Sequence, residues 1–296
     1  MRIGFASVLA MLAAAPVLAA PSTRIKVETS SLGVDATLVD STTGGAQSVS
    51  GSPGPHTYFA SAAPGVLKVQ ASTLGPFNFG ACCTQLVNGI GASVSFSDVI
   101  TVNAPGLTSG SFVATILIDG ALSSAAAGAG GVVAFSNSET RVEVAGLADP
   151  VFSFQVNQSN YNGFVGGSAT LTRSRLGAPY AGPLTGAFTF TIPFENLIGQ
   201  TVTITQSCGA NARTFQQGDS SSSGCDYSHT ITWGGINQVL DENGTPVSNF
   251  TALGSNGTNY AQAINAVPEP SSWAMLIAGF GLVGSAARRQ KRAQRA

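Results

Sequence analysis

AFTFTIPF at residues 187–194 and TVTITQS at 201–207 decide the fold. In both, Phe, Ile or Val alternates with Thr or another polar residue, so an extended chain would be apolar on one side and polar on the other. The same period of two recurs in TRIKVETS (23–30), SVSFSDVITV (93–102), SFVATILID (111–119), RVEVAG (141–146), VFSFQVNQ (151–158) and SHTITWGG (228–235). β-Branched and aromatic residues suit a pleated, half-buried surface, and Gly, Pro, Asn and Asp punctuate the joins. The pattern predicts an all-β fold, an antiparallel, jelly-roll-like β-sandwich over residues 20–254. A chain of this length can bury a full core. A division into two smaller sandwiches would fall near 145–150, at GLADP.

Helical patterns are nearly absent from this region. GALSSAAAGAGG (120–131) is rich in Ala, but its four Gly would each cost a helix about 1 kcal/mol, so it reads as a flexible loop. STTGGAQSVSGSPGPH (41–56) reads as a second loop, and SNGTNYAQAINA (255–266) as a linker leaving the last strand.

The N-terminus, MRIGFASVLAMLAAAPVLAAPS, has one basic residue, a short apolar run and small residues before Ala20. These are the parts of a secretory signal peptide, cut after Ala19 and handled by Sec-type export machinery. Without Arg2 and the five basic residues of the tail, the middle keeps seven Lys/Arg against thirteen Asp/Glu, near −6. That balance argues against a nucleic-acid partner, which would need a basic patch.

Four cysteines, Cys82, Cys83, Cys208 and Cys225, fit an oxidising compartment. Cys208 and Cys225 bracket the polar stretch ANARTFQQGDSSSSG, and a bond between them would be worth about 3 kcal/mol. The adjacent Cys82 and Cys83 either bond each other, or face opposite sides of a strand and remain free or pair elsewhere. With two histidines and no CxxC spacing, neither a metal centre nor any other cofactor is expected.

No G-x-S-x-G, H-E-x-x-H or Cys with a supporting His is present, so no catalytic residue is assigned. His229, three residues after Asp226, shares a strand face with Tyr227, Ile231 and Trp233, which favours a packed residue over a base. His56 lies in a Gly/Pro loop. Trp233, Tyr58, Tyr161 and Tyr180 are the aromatics available to stack on a sugar, although core packing accounts for such residues equally well. Asp98, Asp119, Asp219, Asp226 and Asp241 form no calcium loop, and turn chemistry explains contexts such as DG at 119 and DENG at 241.

The end of the chain, VPEPSSWAMLIAGFGLVGSAARRQKRAQRA (267–296), differs from the rest. Pro268-Glu269-Pro270 favours an extended backbone that an enzyme can thread. Residues 271–287 form an apolar segment, short for a transmembrane helix, with Trp273 at the interface. Arg288, Arg289, Lys291, Arg292 and Arg295 follow as a basic stop in the tail 288–296, held inside by the positive-inside rule. GFGLVG (279–284) has dinucleotide-loop spacing, but it lies in an apolar span with no acidic residue after it. Close packing of membrane helices explains it better.

Together these residues resemble the PEP-CTERM sorting signal of Gram-negative bacteria. The resemblance covers about the last 30 residues and implies that the chain is a substrate of exosortase, a membrane cysteine protease-transpeptidase, with Pro268, Glu269 and Pro270 as recognition residues. It further implies transient anchoring in the inner membrane, delivery to the cell surface or matrix, and an association with exopolysaccharide and biofilm. The segment CDYSHTITWGGINQVLDENGTPVSNFTALGSNGTNY before the tail is similar to the closing strands of other ectodomains of this kind. The expected role is structural or adhesive, and the competing readings are a secreted carbohydrate-binding module and a carbohydrate-active enzyme.

Overall fold

A computed structural model describes residues 20–31, 34–75, 86–128, 131–172, 178–214 and 218–264. The expected signal peptide (1–19), Cys82, Cys83 and the whole expected sorting tail (Pro268, Glu269, Pro270, Trp273, Arg288, Arg289, Lys291 and Arg292 among it) lie outside the described residues. Among the described residues every regular element is a strand. In chain order these are β1 Ser22–Ser31, β2 Val34–Thr43, β3 Gln47–Gly51, β4 His56–Ala63, β5 Val66–Leu74, β6 Leu86–Asn103, β7 Ser109–Ala127 and β8 Val133–Val144. They continue as β9 Phe152–Tyr161, β10 Phe164–Thr172, β11 Ala178–Pro179, β12 Gly186–Glu195, β13 Gly199–Thr214, β14 Ser220–Leu240, β15 Pro246–Val247 and β16 Thr251–Leu253.

The strands form two sheets. One has nine strands in the order β11-β10-β9-β8-β13-β6-β1-β2, with β16 added to β6. The other has seven, β12-β7-β14-β5-β4-β3, with β15 added to β14. The pairing within both sheets is antiparallel, as the alternation predicts. The two deciding stretches become β12, at the edge of the smaller sheet, and β13, in the middle of the larger. Phe188, Phe190, Ile192 and Phe194 of β12 and Val202 and Ile204 of β13 all turn into the same core. That core runs from Ile25 to Tyr260 through both sheets and includes Val144 and Phe152, on either side of 145–150. Burying a side chain as large as Phe contributes about 1.5–3 kcal/mol, so rings such as Phe152 and Phe154, 0% and 1% exposed, supply much of the driving force.

Three stretches differ from the sequence reading. Residues 120–127 are not a loop: they complete β7, and Ala121–Ala127 pair residue by residue with Ser220–Asp226 of β14. Small Ala and Ser side chains leave the backbone free to pair, and a Ser-rich partner strand satisfies it. Within 41–56, β2 runs on to Thr43 and β3 pairs with β4, so only short turns remain. Residues 255–264 do not leave the sandwich after β16, as shown below.

Cys208 and Cys225 are bonded, with their Cα atoms 5.5 Å apart. The bond does not close a surface loop. Cys208 is on β13 and Cys225 on β14, both buried, so it ties one sheet to the other inside the core. Beside it the inner face is polar: Gln206 donates to Ser138 Oγ at 2.6 Å and accepts from Thr140, and all three are at most 2% exposed. A core like this needs the chain held in register, because each buried polar atom depends on its partner.

Replacing Cys208 and Cys225 together by Ala is expected to lower stability by about 3 kcal/mol, from loss of the 17-residue closure. Equilibrium urea unfolding of the double variant beside the parent, without reductant, checks this.

Candidate functional site

The approach to the sorting tail is built from three elements. β16 pairs with β6 of the nine-stranded sheet, matching Thr251–Leu253 to Asn103–Thr101. The chain then turns at Gly254–Thr258, and Tyr260 N–H returns to Ala252 O at 2.9 Å. From there it crosses to the other sheet: Ile236 N–H donates to Ala261 O, and Ile264 N–H donates to Trp233 O at 2.9 Å. It fills the place beside β14 left open where β5 stops, since β14 pairs with β5 only as far as Thr232. The segment 251–264 is therefore a strap joining the two sheets.

Its anchor is Tyr260, 0% exposed. The ring packs edge-on to Trp233, centroids 5.6 Å apart, and Trp233 packs edge-on to Phe190. Trp233 Nε1–H donates to Tyr260 O at 2.8 Å, and Tyr260 O–H donates to Asp98 Oδ2 at 2.9 Å. Asp98, 2% exposed, also accepts at Oδ1 from Val99 N–H, Ser255 N–H and Ser255 Oγ–H. A buried carboxylate costs several kcal/mol unless its oxygens are satisfied, and here much of that satisfaction comes from the strap. At the far end Ile264 lies against Gly65, where an added Cβ would stand 2.2 Å from its Cδ1.

This geometry corrects several sequence readings. Trp233 is 1% exposed and is no sugar platform. His229 is exposed, not packed, because β14 carries a bulge between Tyr227 and Ile231 that keeps those two inward and lifts His229 out. Asp226 caps that bulge by accepting from Ser228 N–H and Oγ–H. His56 is not in a loop but opens β4, 3% exposed, with Nδ1 2.8 Å from Thr73 Oγ1, and burial pushes its pKa down. Asp98 and Asp119 lie within strands, whereas Asp241 caps a turn by accepting from Asn243 and Thr245 N–H. Asp219 is buried. Among the described residues no group of three His, Cys, Asp or Glu could hold a metal ion. Tyr58 and Tyr180 are partly buried against the core.

Tyr161, 56% exposed, does reach solvent, and it has neighbours the sequence reading passed over. It ends β9 at a tight hairpin, with Asn162 and Gly163 both at positive φ; an Asn-Gly pair between strands is the sequence signal for such a turn. Phe164, 80% exposed, stands opposite Tyr161 on β10, and Val133 stands opposite on β8. On the same outer face Asn211, Phe135, Ser159 and Gly166 follow in register, then Gly209, Asn137, Asn157 and Ser168. A groove of about 420 Å³ continues across the face between Asn211, Glu28 and Asp35, floored by Gly89, Gly91 and Gly209. Ion pairs on this sheet join Arg24 to Asp40, Lys26 to Glu28, and Arg141 to Glu139 and Glu143.

Residues 266–292 match the PEP-CTERM protein-sorting motif. The PEP-CTERM motif marks the chain as an exported, exosortase-targeted protein that reaches the cell surface by way of a membrane-anchored state. No curated protein and no solved structure matches the chain. Among the described residues no helix is long and apolar enough to cross a membrane, and the predicted span 271–287 lies beyond them.

Burial first, and then the neighbouring Asp98 carboxylate, push the Tyr260 phenol above its ordinary 10.0. For an acid raised on folding, the contribution is complete below the unfolded value and is lost as pH rises past it. Stability is therefore expected to fall above about pH 10, and Tyr260→Phe, though less stable at neutral pH, is expected to show a smaller alkaline loss. Melting temperatures of both proteins from pH 8 to 11 check this.

Proposed function

We propose that this protein is a structural, adhesive component of the cell surface or its exopolysaccharide matrix, and that it contributes to biofilm by holding neutral polysaccharide without chemistry. The observation that carries this reading is the outer face of the nine-stranded sheet, where Tyr161 and Phe164 stand exposed in a row that continues through Val133 to Arg213, beside two rows whose polar side chains are uncharged amides and hydroxyls. Aromatic faces stack on the apolar side of a sugar ring, while amides and hydroxyls exchange hydrogen bonds with its hydroxyls. Exposed large apolar groups on such a face suit a binding surface. A disulfide and a strap between the sheets suit a body that holds its shape under load.

A carbohydrate-active enzyme is the weaker reading. Glu28 and Asp35 line one groove as a carboxylate pair would, but both are open to solvent and Glu28 is held by Lys26 at 2.6 Å. Of the two histidines, one is buried on Thr73 and the other lies in an exposed bulge.

The parent is expected to sediment with insoluble neutral glucans, and the Tyr161→Ala, Phe164→Ala double variant to bind at least about tenfold more weakly, about 1.4 kcal/mol. Both side chains are exposed, so the melting temperature should not move. Unchanged sedimentation by a folded double variant would remove this face from the account, and release of reducing sugar would favour the enzyme.

A further inference from the structure

Very little chain separates Ile264, docked on Trp233, from the sorting motif. From Ile264 to Pro268 is four Cα steps, so the Pro-Glu-Pro stretch can stand at most about 14 Å from Ile264. If the strap were released back to Gly254, the same reach would grow to about 50 Å.

We propose that the strap regulates sorting: while residues 255–264 are docked, the folded body withholds the chain on the N-terminal side of the motif from exosortase, and processing proceeds through the minor undocked state. The proposal rests on the reading of 266–292 as an exosortase signal. An enzyme that binds an extended segment through its main chain needs that segment's N–H and C=O groups free. Here the residues before 265 are already engaged: Ile264 N–H with Trp233, Ala261 O with Ile236, and Tyr260 on both Trp233 and Asp98. The bilayer-bound enzyme and the sandwich would also have to fit within the short reach that remains. The docked strap lowers the competent fraction, and the apparent efficiency of processing falls with it. Opening the strap leaves the Cys208–Cys225 tie in place, so it is a local event that leaves the two sheets joined.

The test follows conversion of full-length protein to the processed form in the native host by pulse-chase, with four variants beside the parent. Insertion of twelve Gly/Ser residues directly after Ile264 lengthens the reach and leaves the strap docked. Tyr260→Ala undocks it, and Tyr260→Phe removes only the hydroxyl bond to Asp98. Pro268→Ala with Pro270→Ala tests the signal itself. The insertion is expected to speed processing several-fold with no change in melting temperature, Tyr260→Ala to speed it at least as much, and Tyr260→Phe to give an intermediate rate. An insertion variant processed at the parental rate overturns the proposal, as does acceleration by the insertion together with a parental rate for a folded Tyr260→Ala. Parental processing of the double proline variant would instead overturn the sorting reading on which the proposal rests.

Discussion

Tyr260 makes contacts that no other residue of the strap combines. Its carbonyl accepts the Trp233 indole N–H of the seven-stranded sheet, and its hydroxyl donates to Asp98 of the nine-stranded sheet. Two sheets packed face to face are attracted across their whole apolar interface, but that attraction is non-directional and does not fix one sheet against the other. Directional ties do that. Here one is covalent, Cys208 to Cys225, another is the strap around Tyr260, and single hydrogen bonds such as Asn160 Nδ2 to Ser124 O and Asn88 Nδ2 to Leu74 O add to them. The disulfide and the strap lie apart along the sandwich: Cys208 pairs with Ala92 of β6 and the strap enters at Thr101–Asn103, about 30 Å further along at strand rise. Ties at that separation resist both sliding and rotation of the sheets.

The strap also links the fold to the function. Ile264 is bonded to the body through Trp233 and the PEP-CTERM motif begins at Ala266, so the sorting signal follows in sequence directly after the strap. Tension applied through the C-terminal end would reach the aromatic pair and the buried carboxylate first, and the disulfide only after the strap has opened. Asp98 makes partial opening costly, because removing Tyr260 and Ser255 leaves a buried charge short of donors.

Much of this was legible in the sequence because period two is a local signal. AFTFTIPF and TVTITQS alternate as strands must, and the sorting tail is a contiguous motif that needs no tertiary structure to be recognised. What was not legible depends on partners distant in sequence. GALSSAAA lacks the β-branched residues of a confident strand, and pairing with Ser220–Asp226 decides it. The bulge near His229 shifts which residues face inward, and the sequence around SHTITW carries no mark of it beyond Asp226. Gln206, Ser138 and Thr140 occupy inner positions that alternation alone would fill with apolar groups. Asn-Gly at 162–163 was a readable hairpin signal, and it would have led to Phe164. SNGTNYAQAI looks like a linker because it is polar and Gly-containing, yet one Tyr in it is enough to dock the segment once Trp233 and Asp98 are brought together.

Hydrogen exchange on the intact exported protein tests the central claim, that the fold continues to Ile264. The amides of Tyr260 and Ile264, bonded to Ala252 O and Trp233 O, should be protected well above the level of exposed turns such as Asp241–Thr245, with exchange of Ile264 following opening of the strap. Exchange of both amides at the rate of an unstructured peptide would mean that the chain leaves the sandwich at β16. The strap would then have no part in the fold or in sorting.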